Sequence, residues 1–344
     1  MRLRPITHTR AKQLVPVANK PVLFYGLQAL AESGITDVGL VVGETGEEIR
    51  SAVGDGRAFG LKVEYIEQEA PLGLAHAVMI SQDFIKGDPF VVYLGDNLVL
   101  GGIREQVRRF KEVRPHCQIL LARVKEPNRF GVATIQDGRV VRLVEKPKVP
   151  DSDLALVGVY MFDQNVFKAV REIKPSFRGE LEITDAIQWL IDRGLTVRYE
   201  IIDGWWKDTG RLEDLLEANR TILDTFKTSI RGRVDGSSQV DFKVVVEEGA
   251  SVVESTIRGP ALIGGGSSII NSFVGPFTSI GEGCRLQNCE VEHSIIMNKS
   301  VIADVRGRIT DSLIGENCRI SRLPQRPRAY RFMLGDNSQV GILG

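Results

Sequence analysis

The segment TIRGPALIGGGSSIINSFVGPFTSIGEGCRL (256–286) decides the fold of the second half of the chain. Aliphatic residues recur in it at six-residue intervals, in two runs: Ile257, Ile263 and Ile269, then Val274, Ile280 and Leu286. A period of six, in which each short strand turns one aliphatic residue inward, is typical of a parallel β-helix. Steps of five, such as Ile269 to Val274, interrupt the repeat, and a glycine-rich β-sandwich is the alternative.

Upstream of this repeat, strand-like runs alternate with amphipathic helical stretches. Strands are predicted at 37–43, 62–68, 89–97, 117–124, 154–162 and 196–202. The first helix begins near Pro21, carries Leu23, Leu27 and Leu30 on one face, and ends at Gly34. The alternation predicts an α/β domain with a mostly parallel, Rossmann-like sheet, which binds ligands beyond the carboxyl ends of its strands. The Asp137-Gly138 turn predicts one antiparallel hairpin in this domain.

The polar, glycine-containing segment RGRVDGSSQV (231–240) separates the two patterns. We therefore expect an α/β domain at 1–228, a linker at 229–240 and a β-helix domain at 241–344.

Composition limits the classes of function. The chain has 44 basic and 44 acidic residues, which argues against nucleic acid or an anionic membrane as a partner. It has no apolar run of the roughly 20 residues that a spanning helix needs, and its start lacks the apolar stretch of a signal peptide. Its four cysteines, Cys117, Cys284, Cys289 and Cys318, form no CxxC or zinc pattern. They indicate buried thiols in a reducing, cytoplasmic compartment.

Three groups of polar residues are candidates for chemistry. The segment 2–21 contains five basic residues and no acid, which suits phosphate binding or a solvated basic face. The strand ending in YLGDN (93–97) places Asp96 where a carboxylate can hold Mg²⁺ beside phosphates, although Gly-Asp-Asn also suits a plain turn. VEKPK (144–148) places Glu145 and Lys146 at the end of a hairpin strand, where an exposed ion pair is the alternative.

A further carboxylate lies in DGWWKDTG (203–210), where Asp208 follows two tryptophans after the last predicted strand. The tryptophans suit either a sugar platform or the ordinary core. Together, Asp96 and Asp208 could clamp one metal ion.

Eight motifs carry a specific resemblance by their order along the chain. They are KQLVPVANKP (12–21), PLGLAHAV (71–78), YLGDN (93–97), NRFGVA (128–133), VEKPK (144–148), VGVYMF (157–162), GELEITDAI (179–187) and WWKDTG (205–210). This order resembles that of the sugar-1-phosphate nucleotidyltransferases. With the tail ending in FMLGDNSQVGI (332–342), the whole chain is similar to the long-form glucose-1-phosphate thymidylyltransferases. The resemblance implies a nucleotidyltransferase sheet followed by a left-handed parallel β-helix of hexapeptide repeats.

The resemblance also implies site residues. Asp96 and Asp208 would bind Mg²⁺, with Asp96 also near the ribose, while Lys146 would hold the sugar phosphate and Glu145 the sugar hydroxyls. Other matching positions would grip the triphosphate (Arg2 and Lys12), read the pyrimidine edge (Gln68 and Gly73), admit the sugar (Gly131) or contact substrate (Gly158 and Trp206).

The implied reaction joins glucose 1-phosphate to dTTP and releases dTDP-glucose and pyrophosphate. UTP, GTP or ATP as donor and mannose 1-phosphate as acceptor stay open, as does a homo-oligomeric state. In the family, a first strand and a glycine-rich loop precede the position of Arg2. This sequence starts at Met1, so we expect the chain as written to be weakly active, with a misplaced start or a truncation as the cause.

Two other functions are alternatives. One is a non-catalytic relative that binds sugar nucleotides and regulates, which a genuine truncation would favour. The other is acyl transfer by the β-helix, for which His293 is the one histidine in that region. A single histidine in a repeat is more typical of a structural role.

Overall fold

The computed structural model describes residues 11–202 and 204–322. Its contacts divide the chain into two units: residues 21–209 form one, and residues 1–20 together with 210–344 form the other. The described helices are α1 Val22–Glu32, α2 Gly46–Val53, α3 Leu74–Ile80, α4 Gln82–Ile85, α5 Arg104–Val113, α6 Val166–Glu172, α7 Ile183–Asp192 and α8 Leu212–Asp224. Single 3₁₀ turns lie at Lys12–Leu14, Arg57–Phe59 and Pro127–Arg129.

The first unit contains every strand predicted for the α/β domain. Of the two short strands that precede α1, β1 Pro16–Val17 belongs to the other unit, and β2 Lys20–Pro21 lies where the two units divide in the chain. The strands that follow are β3 Asp37–Val42, β4 Lys62–Glu67, β5 Phe90–Tyr93, β6 Asn97–Val99, β7 Cys117–Arg123, β8 Gly131–Gln136, β9 Arg139–Glu145, β10 Leu154–Phe162, β11 Val197–Ile201 and β12 Trp206–Asp208. Helix α1 buries Leu23, Leu27 and Leu30 as its spacing predicts.

The described pairings of this unit are mixed in direction. Strand β10 is buried along its whole length and runs antiparallel to β5, β7 and β8, whereas β11 pairs with β7 and β3 with β4 in parallel. The sheet is therefore less parallel than the alternation alone predicts. The predicted hairpin is confirmed, because β8 and β9 pair around Asp137 and Gly138, both with positive φ as a type I′ turn requires.

Helices α6 and α7 cover one face of this sheet. Phe162, Ile187 and Leu190 are fully buried in the core that these helices share with β7 and β10. Burial of a leucine or isoleucine side chain contributes about 1.5–3 kcal/mol to folding. This packing fixes α7 against the hairpin strand β9, and the candidate site uses that contact.

The second unit is a parallel β-helix built from three ladders. One holds β13 Ser229–Ile230, β16 Val244–Val246, β19 Ala261–Ile263, β22 Thr278–Ile280, β25 Ile295–Ile296 and β28 Leu313–Ile314. The next holds β14 Arg233–Val234, β17 Ser251–Val253, β20 Ser268–Ile270, β23 Arg285–Gln287, β26 Val301–Ala303 and β29 Arg319–Ser321. The third holds β15 Gln239–Val240, β18 Thr256–Ile257, β21 Phe273–Val274, β24 Glu290–Val291 and β27 Arg308–Ile309.

The six-residue period corresponds to the faces of one coil. Ile257, Ile263 and Ile269 lie on three successive strands and are completely buried. On the next coil, Val274 stacks on Ile257 and Ile280 on Ile263. Two steps of six and one of five complete a coil, so the irregular steps belong to the repeat. The predicted β-helix is confirmed.

Corners of the coils carry residues in the left-handed region of φ. In one column of corners, Asn271, Asn288 and Asp304 have φ values of 43°, 50° and 58°. Their side chains form a ladder, because Asn271 Nδ2 donates to Asn288 Oδ1 (2.8 Å) and Asn288 Nδ2 donates to Asp304 Oδ1 (2.6 Å). Asparagine and aspartate tolerate this backbone conformation better than other non-glycine residues, which explains their recurrence at corners.

His293 lies in a second column of corners, with φ of 43°. Its Nδ1 is 2.6 Å from Asp311 Oδ1, and its ring packs edge-on against Phe277. This bond lowers the pKa of the Asp311 carboxyl. The contacts give His293 a role in stacking neighbouring coils, in line with the structural alternative.

The linker prediction for 229–240 was wrong. These residues form β13, β14 and β15, which pair with the next coil and make up the first coil of the β-helix. Helix α8 also groups with this unit, because buried Asn219 binds both the N-terminal segment and a corner. Its Oδ1 accepts from Ala18 N–H (2.8 Å) and its Nδ2 donates to Phe277 O (3.0 Å).

The cysteines and the helices bear on the predictions made from composition. Cys117, Cys284 and Cys289 are buried, and all four thiols are free. Burial raises the pKa of the Cys117 thiol. Among the helices in the described ranges, none has both the length and the apolar character needed to cross a membrane.

Replacing Asn288 by valine should destabilise the β-helix by about 1–2 kcal/mol, because a β-branched residue is strained at positive φ. The free energy of unfolding from chemical denaturation measures the effect. Asn288→Gly removes the same side-chain bonds without the strain and should cost less. Gln287→Val, on the adjacent strand, is the matched control and should be nearly neutral. Equal losses in all three variants would contradict the corner constraint.

Candidate active site

The first element of the site is the turn between β5 and β6. Leu94 N–H donates to Gly158 O (2.8 Å), and Asn97 N–H donates back to Leu94 O (3.0 Å). These bonds turn the chain at Gly95 and Asp96 immediately after the apolar strand β5. Asp96 therefore lies at the carboxyl end of a strand, as its sequence motif predicts.

The second element is the antiparallel pair of β6 and β12. Asp208 lies opposite Asn97 in this ladder. Beyond it, Thr209 donates from both its N–H and its Oγ1 to the carbonyl of Asp96, at 3.0 and 2.8 Å. Two segments more than 100 residues apart are thereby held together, and the backbones of Asp96 and Asp208 become neighbours.

Asn97 holds this arrangement through its side-chain amide. Only 3% of the residue is exposed. Its Nδ2 donates to Asp96 Oδ1 (2.8 Å), and its Oδ1 accepts from Trp206 Nε1 (2.7 Å) and from Gly158 N–H (3.3 Å). Asn97 has no role predicted from the sequence, although an amide at the start of an apolar strand indicates a buried polar group that needs partners.

Gly158 makes room for that amide. A Cβ atom at this position would lie 2.7–2.8 Å from the Cγ, Nδ2 and Oδ1 atoms of Asn97. The structure thus gives Gly158 a packing role beneath the site. Trp206, predicted to contact substrate, is fixed by its bond to Asn97 and by the Phe130 ring, edge-on at 5.2 Å between centroids.

Phe130 also connects the carboxylates to the β8–β9 hairpin. Its carbonyl accepts from the N–H of Lys146 (3.0 Å), while its ring touches Trp206. Lys146 has a φ of 42°, so the chain turns sharply at the end of β9. Phe130 therefore contacts both the hairpin motif, at Lys146, and the tryptophan motif, at Trp206.

Gly131 and Glu145 face each other across the hairpin. A Cβ on Gly131 would lie 2.6 Å from Thr184 Cγ2 and 2.7 Å from Leu156 Cδ1. Glycine is required here because α7 and β10 pack directly against the backbone. Glu145 Oε2 in turn accepts from Thr184 Oγ1 (3.5 Å).

The Glu145 carboxylate lies between two cations. Lys146 Nζ is 3.1 Å and Arg178 Nη1 is 3.6 Å from Glu145 Oε1. The Glu145 side chain is 20% exposed and that of Lys146 is 39% exposed, so both groups are accessible to a ligand. Arg178, which directly precedes the GELEITDAI motif, was not among the residues predicted from the sequence.

Arg178 also binds two other carboxylates. Its Nη1 is 3.4 Å from Glu182 Oε1, and its Nη2 is 2.6 Å from Glu180 Oε1. Burial raises the pKa of the Glu182 and Asp185 carboxyls. A cavity of about 630 Å³ lies along this side of the hairpin, lined by Val141, Arg142, Leu143, Val144, Glu145, Ser176, Phe177, Glu182, Asp185 and Gln188.

Gln68 and Gly73 come together after β4. Gln68 Nε2 donates to Gly73 O (3.1 Å) and lies 3.0 Å from His76 Nδ1. Gly73 has a φ of 101°, and a Cβ there would lie 2.4 Å from Leu181 O. The structure brings these two residues together, and their reading of a pyrimidine edge stays a prediction.

Arg2 and Lys12 are the residues predicted to grip the triphosphate. Arg2 is outside the described residues. Lys12 begins the 3₁₀ turn Lys12–Leu14, in the unit that contains the β-helix.

Within the described ranges, no group of three or more histidine, cysteine, aspartate or glutamate side chains could hold a metal ion. Asp96 and Asp208 supply two carboxylates. Two is a suitable number for Mg²⁺, which usually takes its remaining ligands from water and substrate phosphates.

Comparison with protein families places residues 1–225 in the family described as nucleotidyl transferase. Two relatives named glucose-1-phosphate thymidylyltransferase match nearly the whole chain. The protein of Streptomyces griseus is 55% identical over 99% of this chain and 96% of its own length. That of Streptomyces antibioticus is 56% identical over the same shares.

A solved structure from Bacillus anthracis is also similar to part of this chain. It is described as a candidate glucose-1-phosphate thymidylyltransferase in complex with sucrose. The match has a TM-score of 0.61 and 37% identity, and it covers 66% of this chain and 92% of that structure.

Gly158→Ala should displace the Asn97 amide and cost about 1–3 kcal/mol, because the added methyl group overlaps that side chain. The bond from the Trp206 indole to Asn97 should weaken, which a shift of the indole N–H signal in NMR spectra would report. Gly43→Ala is the control, since its Cβ would make only ordinary contact at 3.7 Å. An unchanged indole signal in Gly158→Ala would contradict this packing role.

Proposed function

The chain belongs to the nucleotidyl transferase family, and we propose that it joins glucose 1-phosphate to dTTP, giving dTDP-glucose and pyrophosphate. The observation that carries the proposal is the β6–β12 pair, which brings Asp96 and Asp208 together and is linked through Phe130 to Glu145 and Lys146. Similarity to two thymidylyltransferases over 99% of the chain supports this choice of substrates.

The reaction needs alignment and charge neutralisation more than acid–base chemistry. The phosphate of glucose 1-phosphate is already an anionic nucleophile, so no general base is required. Lys146 is exposed enough to pair with that phosphate, and the Glu145 carboxylate offers acceptors for sugar hydroxyls. Gly131 lies opposite Glu145 in the hairpin and, in this proposal, is the point where the sugar approaches the backbone. Holding two anions in line and offsetting their repulsion lowers the barrier.

We propose Asp96 and Asp208 as the ligands of a divalent metal, specifically Mg²⁺. The donor set fits, because Asp96, in the turn before β6, and Asp208, on β12, offer two hard carboxylate ligands on adjacent backbone segments, and the substrate phosphates supply the rest. When bound, the ion would neutralise charge on the triphosphate and the leaving pyrophosphate. The chain's own part is to hold the two acidic residues on adjacent backbone segments, which the bonds from Thr209 and Asn97 to Asp96 do.

The remaining assignments complete the proposal. Gln68 and Gly73 read the pyrimidine edge, and Arg2 and Lys12 grip the triphosphate. Trp206 and Gly158 contribute by shaping the floor of the site. Four free thiols support a reducing, cytoplasmic location. Neither nucleic acid nor a membrane is a proposed partner, and a homo-oligomer stays a proposal without a described interface.

Pyrophosphate release tests the function. We expect release from dTTP only when glucose 1-phosphate and Mg²⁺ are both present, and we expect dTDP-glucose as the product by mass spectrometry. UTP in place of dTTP, and mannose 1-phosphate in place of glucose 1-phosphate, should react more slowly. Absence of turnover with any nucleoside triphosphate and any hexose 1-phosphate would instead favour a non-catalytic sugar-nucleotide-binding protein.

Asp96→Asn and Asp208→Asn should each lower kcat by at least about 100-fold, because each removes one anionic metal ligand. Steady-state kinetics at saturating substrate measures the loss, and circular dichroism checks the fold. Asp153→Asn is the matched control, since Asp153 forms an exposed ion pair with Arg123. Activity near wild type in either of the first two variants would rule out the proposed metal site.

Lys146→Ala should raise the KM for glucose 1-phosphate by about 10–100-fold, the effect of losing one charged hydrogen bond. The KM for dTTP should change little, because the proposed contact is with the sugar phosphate. Arg142→Ala is a suitable control, since Arg142 lies on the same strand and pairs with exposed Asp151. A larger effect on the dTTP constant than on the sugar constant would contradict the assignment.

A further inference from the structure

The amide of Gln68 is held by two groups from one neighbouring segment. Its Nε2 donates to the carbonyl of Gly73 (3.1 Å) and lies 3.0 Å from Nδ1 of His76. Among the described residues, the side chain of Gln68 has no other hydrogen-bond partner. His76 lies on α3 and is half-buried.

Chemistry determines which way this amide points. A backbone carbonyl can only accept a hydrogen bond, so the atom of Gln68 beside Gly73 O must be the NH₂ group. His76 Nδ1 contacts the same NH₂ group, and it must therefore be the unprotonated ring nitrogen, with the hydrogen on Nε2. Both amide hydrogens are then used within the chain, and Oε1 is left as an acceptor.

We propose that His76 is a positioning residue that fixes the Gln68 amide with Oε1 available to the nucleotide base, and thereby selects bases that carry a ring N–H. This inference rests on the proposed function, in which Gln68 reads the pyrimidine edge. Thymine and uracil present N3–H as a donor, whereas cytosine presents N3 as an acceptor. An acceptor at Oε1 therefore favours thymine or uracil. With cytosine, two acceptors, Oε1 of Gln68 and N3 of the base, would face each other.

The segment that carries His76 is itself anchored. Ala75 N–H donates to Leu181 O (3.0 Å), and Leu181 N–H donates to Leu72 O (2.7 Å). The backbone on both sides of Gly73 is thus bound to the chain leading into α7. Because α7 packs in the main core, the two acceptors for Gln68 have fixed positions. Reversing the amide would place Oε1 against both acceptors and lose both bonds.

The test compares dTTP with dCTP, whose bases have the same ring size and differ at N3, at C4 and in the 5-methyl group that only thymine carries. His76→Leu replaces the ring by an apolar side chain that has no hydrogen-bond acceptor. His76→Asn supplies an acceptor again through its Oδ1. His116→Leu is the matched control, because His116 Nδ1 also accepts a hydrogen bond. Its donor is Thr196 N–H (2.9 Å), and His116 lies immediately before β7.

In His76→Leu we expect the KM for dTTP to rise about fivefold with kcat unchanged, the effect of losing one net hydrogen bond. The constants for dCTP should stay the same, so the preference for dTTP should fall by the same factor. His76→Asn should recover most of the preference, and His116→Leu should retain it. An unchanged preference in His76→Leu, or a loss confined to kcat, would overturn the proposal.

The orientation is also measurable without turnover. Nitrogen-15 NMR of the free protein at neutral pH should show His76 with a protonated Nε2 and an unprotonated Nδ1. The opposite tautomer would overturn the proposal whatever the kinetics show. If no nucleoside triphosphate reacts, the proposed function fails, and the NMR result still decides how the amide is held.

Discussion

The buried amide of Asn97 joins the parts on which the site depends. It binds the Asp96 carboxylate, the Trp206 indole and the backbone of Gly158, and these belong to three separate strands or turns. A buried amide left without partners costs about 1–3 kcal/mol, so the three bonds and the fold stabilise each other. The glycine at 158 follows from this contact, because any side chain there would occupy the place of the amide.

The other parts of the site are also joined by a few direct contacts. Phe130 joins the tryptophan to the hairpin, Arg178 joins the hairpin carboxylate to the segment before α7, and Gly73 joins that segment to Gln68. Each link is short and most of the residues are at least half-buried. A substrate that bridges the carboxylates and the hairpin would therefore meet groups whose positions are already fixed, which reduces the entropy lost on binding.

Sequence patterns predicted the strands, the first helix, the hairpin turn and the β-helix, because each depends on periodicity or on turn residues close together in the chain. They also pointed to Asp96 and Asp208, but the pairing of β6 with β12 joins residues too far apart for a local pattern to reveal. Asn97, Arg178 and His76 were missed for that reason. The prediction of a linker at 229–240 was wrong because Val234 and Val240 are single apolar residues in a polar stretch. Each of them nevertheless stacks on the coil that follows.

A bound manganese ion, substituted for magnesium in crystals grown with dTTP, would test the central claim most directly. Its anomalous scattering locates the ion independently of activity. The account predicts one strong peak within coordination distance of carboxylate oxygens from both Asp96 and Asp208, and loss of that peak in Asp208→Asn. A peak held by other side chains, with neither aspartate as a ligand, would contradict it.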